Sequence, residues 1–162
     1  MKEYHKAELR AALLRGDMKR ALFFQMQLDE KYQSDLRQYY DFVDKVEQQY
    51  STVHNMGAWS GPNANRLELL CKRNIGMAEG LKDRWVKYKQ PLPRIPAYQR
   101  LAMLYEKQEK YFDAANICMI AIQDGFPKDS TNSGMRGRLA RMVKKGKLQA
   151  TPEMLRELSK LT

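Results

Sequence analysis

Apolar residues recur three and four apart along most of this chain, the spacing that lines one face of an α-helix, and nowhere do they alternate as in a strand. The clearest stretch is residues 95–127. Tyr98, Leu101, Ala102 and Tyr105 form one stripe there, and Ala114, Ile117, Cys118, Ala121 and Ile122 form a second beyond the turn Glu109-Lys110-Tyr111. Pro96 suits a first helical turn, where its missing N–H leaves no bond unmade, and Gly125 stops the second helix. The pattern predicts two packed antiparallel helices, with Ala102, Ala114 and Ala121 where they cross closely.

The same reading extends in both directions. A short helix over 4–14 ends at Arg15-Gly16, and another starts at Asp17. No Gly or Pro occurs between Asp17 and Met56, which fits one long helix or two joined by a tight break within 29–35. Within it Tyr32, Leu36, Tyr39, Val43, Val46, Tyr50 and Val53 recur in coiled-coil-like steps. This stripe is expected to pack on another helix of the same chain; the alternative is a homodimer seam through Tyr32, Leu36, Tyr39, Val43, Val46 and Tyr50. Residues 51–65, STVHNMGAWSGPNAN, read as the longest loop, with Trp59 pinning it to the fold. A helix over 66–88 then buries Leu67, Leu70, Cys71, Ile75, Ala78, Leu81 and Trp85. The Pro-rich connector 90–96 cannot continue that helix. Beyond Gly125 come a polar loop, a helix from Met135 with Leu139, Met142 and Val143 facing inward, and a last helix opened by Thr151 as N-cap and Pro152. The expected fold is all-α, antiparallel helical hairpins with about seven helices. An N-terminal region, 1–55, and a C-terminal region, 56–162, are expected to form one compact domain.

Tyr98, Leu101-Ala102, Tyr105, Tyr111, Ala114, Cys118, Ala121 and Pro127 fall where the tetratricopeptide repeat carries its signature, in a helix-turn-helix unit of about 34 residues. Residues 95–127 therefore resemble one such unit. Ala102 and Glu109 replace two glycines, Cys118 replaces an aromatic residue, and Pro127 comes one place late. The run Gly16-Asp17-Met18-Lys19-Arg20-Ala21 resembles the turn of a second, degenerate unit within 4–30. The segment from Asp124 to Arg141 is similar to the tail that follows such hairpins in small proteins of Gram-positive bacteria and their phages. The resemblance implies an adaptor or regulatory protein that binds a protein or peptide on the face of its first helix. Carried onto this chain, that face holds Gln99, Met103, Glu106 and Lys107.

Charge adds a second candidate surface. Residues 1–65 are near balance, whereas nearly all of the net charge of +10 lies between Arg66 and Lys147. From Ser130 to Thr151 there are six basic residues and no acid. Arg138, Arg141 and Lys145 share a helical stripe there, with Arg136 and Lys144 beside it, and a stripe of that kind can follow a phosphate backbone. A nucleic-acid-binding accessory protein is thus the alternative function, without sequence-specific reading, because no recognised DNA- or RNA-binding motif accompanies the stripe.

Catalytic chemistry finds little support. His5 and His54 are the only histidines, Cys71 and Cys118 stand alone on apolar faces, and GAWSG lacks the Lys-Ser/Thr of a nucleotide loop. No cofactor, metal or enzymatic activity is expected. No window approaches the roughly 18 apolar residues of a membrane span, and MKEYHKAELR lacks the apolar core of a signal peptide, so a cytoplasmic protein with reduced thiols is expected.

Overall fold

The computed structural model describes residues 1–161 and places eight α-helices along them, with no strand among the described residues. They are α1 (Lys2–Arg15), α2 (Met18–Leu28), α3 (Glu30–Met56), α4 (Pro62–Lys87), α5 (Pro96–Lys107), α6 (Tyr111–Gln123), α7 (Gly134–Gly146) and α8 (Pro152–Leu158). The fold is all-α, as the periodicity requires.

The stretch 17–56 is two helices. No glycine or proline breaks it; Asp29 does, with a non-helical ψ of 88° and a carboxylate that accepts the Tyr32 backbone N–H at 3.0 Å. The same carboxylate accepts a hydrogen bond from the Tyr88 hydroxyl at the end of α4, which ties the α2–α3 corner to the rest of the molecule.

The expected loop over 51–65 is largely helical. Val53, the last residue of the α3 stripe, is fully buried within the helix, and Pro62 and the buried Ala64 already belong to α4. Only residues 57–61 connect the two helices. Gly57, at φ 60°, supplies the left-handed residue that ends α3. Trp59 does pin the connection: its carbonyl accepts from Gln108 Nε2 at 2.8 Å, and its ring packs on the core. A boundary at 55/56 falls inside the last turn of α3, so it divides nothing physical.

Packing follows chain order. α3 lies along α4, α4 on α5, α5 on α6, α6 on α7 and α7 on α8, and α3 also reaches α5. Tyr32, Tyr39, Val46, Tyr50 and Val53 are buried and Leu36 and Val43 half-buried, all within one core that includes the whole apolar stripe of α4. This stripe is therefore covered within the chain, and the homodimer seam is set aside: the surface it needed is occupied by α4. Buried Asn74 on α4 donates to the Tyr39 carbonyl at 3.2 Å, fixing the register of the two long helices.

The hairpin predicted over 95–127 is present as α5 and α6. Ala102, Ala114 and Ala121 are at most 1% exposed, consistent with close crossings where no larger side chain fits. α1 and α2 form a further hairpin whose buried residues, Ala12, Ala21 and Phe24, lie outside the main core, while Leu22 and Met26 of α2 pack against that core.

Candidate functional site

The α5 face is less open than its sequence suggests. Gln99 is buried: its Nε2 donates to Ser130 Oγ at 2.6 Å, and its Oε1 accepts from the Ser130 N–H at 3.0 Å. Its amide holds the loop before α7 and is not offered to a partner. Glu106 accepts from Lys145 Nζ at 2.6 Å, linking α5 to α7. On the other side of α5, Arg100 donates to both oxygens of Glu47 on α3, the shorter bond being 2.8 Å, while its guanidinium lies 3.9 Å from the centre of the Tyr50 ring. Between these links sits half-buried Met103, whose sulfur is 3.9 Å from Gln99 Nε2 and 3.8 Å from Arg100 Nη1. Lys107 is exposed, with Nζ 5.6 Å from the centre of the Trp59 ring. Of the four residues carried over from the repeat resemblance, Gln99 and Glu106 are thus engaged within the chain, half-buried Met103 accepts only weak sulfur contacts, and Lys107 is exposed and in no ion pair among the described residues.

The basic helix is also partly spent internally. Arg138 is buried, and its Nε donates to Asp129 Oδ2 at 3.0 Å; Arg136 pairs with Glu157 at 2.9 Å. Lys145 is held by Glu106, as above. The stripe Arg138-Arg141-Lys145 is therefore not a continuous exposed row of cations. Arg141, which donates to Ser133 Oγ at 3.3 Å, and Lys144 and Lys147 are exposed and in no ion pair among the described residues.

The thiols offer no nucleophile. Burial pushes both Cys71 and Cys118 up to about 12, so each stays protonated at neutral pH. His54 is exposed at the end of α3 among Tyr50 and Trp59. Among the described residues no group of His, Cys, Asp or Glu has the arrangement of a metal site, and no helix is long and apolar enough to cross a membrane.

One surface was not anticipated from the sequence. Between α2 and the end of α4 runs a groove of about 380 Å³, walled by Met18, Leu22 and Phe23 on one side and by Tyr88, Lys89 and Gln90 on the other. Met18 is 66% exposed and Phe23 49%. The signal lay in Leu22-Phe23-Phe24, three successive apolar residues that cannot all face one core from a single helix. Phe24 is buried, Leu22 is half-buried, and Phe23 is left outside.

Compared with protein-family models, with curated proteins and with solved structures, the chain has no match.

Proposed function

We propose that this protein is a non-enzymatic scaffold that binds another protein, acting as an adaptor or regulatory subunit built from tetratricopeptide-like helix pairs. The observation that carries the reading is the order of packing. Each of α3 to α7 lies against the next, α3 reaches across to α5, and the Glu47–Arg100 and Glu106–Lys145 pairs bind α3, α5 and α7 into one side of the stack. Alternate helices on a common side are how stacked helical hairpins make an extended binding face. The buried, protonated thiols support a binding role over a catalytic one. The nucleic-acid reading loses ground because Arg136, Arg138 and Lys145 are each neutralised by an acid within the chain.

Affinity capture of the tagged protein from its host cells, with and without nuclease, tests this. The expected result is a protein partner that survives nuclease and is lost on Met103→Glu combined with Lys107→Glu. Capture that depends wholly on nucleic acid would overturn it.

A further inference from the structure

We propose that the groove between α2 and the end of α4 is a second docking site, separate from the α5 face, and that it takes an acidic, amphipathic segment of a partner protein. Its walls supply apolar surface for an inserted side chain. Phe23 and Met18 stand exposed on α2, and Tyr88 closes the opposite side, its ring fixed by the hydroxyl bond to Asp29. Exposed aromatic and methionine side chains around a concavity are what helix-in-groove recognition uses as anchors.

Charge selects the occupant. The lining includes two lysines, Lys19 and Lys89, and no carboxylate, and neither lysine is in an ion pair among the described residues. The acids at the two ends of α2 are engaged elsewhere: Asp17 caps α2 by accepting the Arg20 N–H at 3.1 Å, and Asp29 accepts from Tyr32 and Tyr88. Lys87, just before the groove, lies with Nζ 5.2 Å from the Tyr88 ring centre and adds to the positive field. A second copy of the chain is a poor occupant, because each copy carries +10 and would bring cations to cations. An acidic segment with spaced apolar side chains satisfies both the walls and the rim.

Lys89 is positioned by the turn that ends α4. The chain reverses there with the Gln90 N–H bonded to the Trp85 carbonyl at 2.8 Å, and Lys89 sits at φ 53°, where glycine is free of strain and lysine is not. The same left-handed helix end recurs at Glu109 and Lys147, so the turn fixes where the Lys89 side chain leaves the backbone, and it is the groove lining that gives its charge a role.

The test is titration of the full chain with a fluorescein-labelled peptide of glutamate and alanine bearing Phe and Leu at i and i+4. The same peptide with lysine replacing glutamate is the control. Saturable binding of the acidic peptide alone is expected, weakened as salt screens the charges. Phe23→Ser and Lys19→Glu should each weaken it about tenfold. Lys89→Gly should weaken it similarly while leaving the melting temperature equal or higher, which a merely structural role for Lys89 would not produce. Absence of saturable binding, equal binding of the lysine peptide, or unchanged affinity in Phe23→Ser would overturn the proposal. So would a Phe23-dependent dimer, or Phe23-dependent binding to phosphatidylserine vesicles in place of the peptide. Failure of the acidic peptide to bind, alongside nuclease-resistant capture that Met103→Glu with Lys107→Glu abolishes, would show the groove proposal failing while the adaptor reading stands.

Discussion

Arg138 on α7 and Asp129 in the turn before it meet at 3.0 Å with side chains only 8% and 1% exposed, so the most buried charge of the basic helix is a structural cation. Burial alone would raise the Asp129 carboxyl. Hydrogen bonds from the Thr131 side chain and backbone, together with the Arg138 charge, outweigh it and hold the carboxyl below the ordinary range. Its contribution to stability is therefore present above the unfolded value of about 3.9 and is lost as pH falls through the lower folded value. Arg138→Met leaves the carboxylate buried and unpaired, and the expected cost at neutral pH is about 3–5 kcal/mol. Protonation relieves that charge, so the gap in melting temperature between variant and wild type should narrow as pH is lowered. A gap independent of pH would show that Arg138 stabilises by packing alone.

The exposed remainder of the basic helix sets a ceiling on electrostatic nucleic-acid binding. With Arg141, Lys144 and Lys147 as its free cations, the plot of log affinity against log salt should have a slope no steeper than about −3. Changing these three residues to Gln should leave thermal stability nearly unchanged. A markedly steeper slope, measured by fluorescence anisotropy, would mean that other cations take part.

Ala114 is fully buried on α6, the helix that packs against both α5 and α7. Ala114→Leu adds three carbons where none fit, and overpacking of this kind costs roughly 1–3 kcal/mol. Thermal melts decide the matter, and an unchanged midpoint would contradict the close crossing.

Val46 is fully buried in the α3–α4 seam. Val46→Lys should lower the stability of the monomer and leave the mass in light scattering that of a single chain, because the charge is buried by α4 and not by a second copy. Val43→Lys should be milder, since half-buried Val43 lets a lysine stem lie along the surface with its ammonium in water. A dimer in the wild type that either change dissolves would reverse this account.

Helical phase was the strongest signal in the sequence: it located the buried stripe of α4 and most of those of α5 and α6, but missed Asn74, Ala97, Gln99, Leu104, Ala115 and Met119, and included Ile117, which is only half-buried. It located less where a polar side chain performs a task usually given to another residue. Asp29 breaks a helix without glycine or proline, and Gly57 with Gly61 made a short connection look long, because the polar residues around them lie on the exposed sides of two helix ends. Arg138 could have been placed correctly. It follows Met135 by three residues and precedes Met142 by four, which puts it on the buried face of α7, but its charge made it look like surface and its partner Asp129 lay outside the helix. The groove at α2 was hidden for a different reason. One wall comes from residues near 20 and the other from residues near 88, and no periodicity within either segment reveals that they meet.

Ala12, Ala21 and Phe24 are buried outside the main core, so the α1–α2 hairpin is expected to open on its own. Its amides should exchange with deuterated solvent by local opening, while those at the centre of α4 should exchange only when the whole molecule unfolds. One wall of the groove belongs to this looser unit and the other to the rigid one, so an occupant bridges two parts of unequal persistence. Part of its binding energy then goes into holding the hairpin closed, and slowed exchange in α1, far from any direct contact, becomes a record of occupancy.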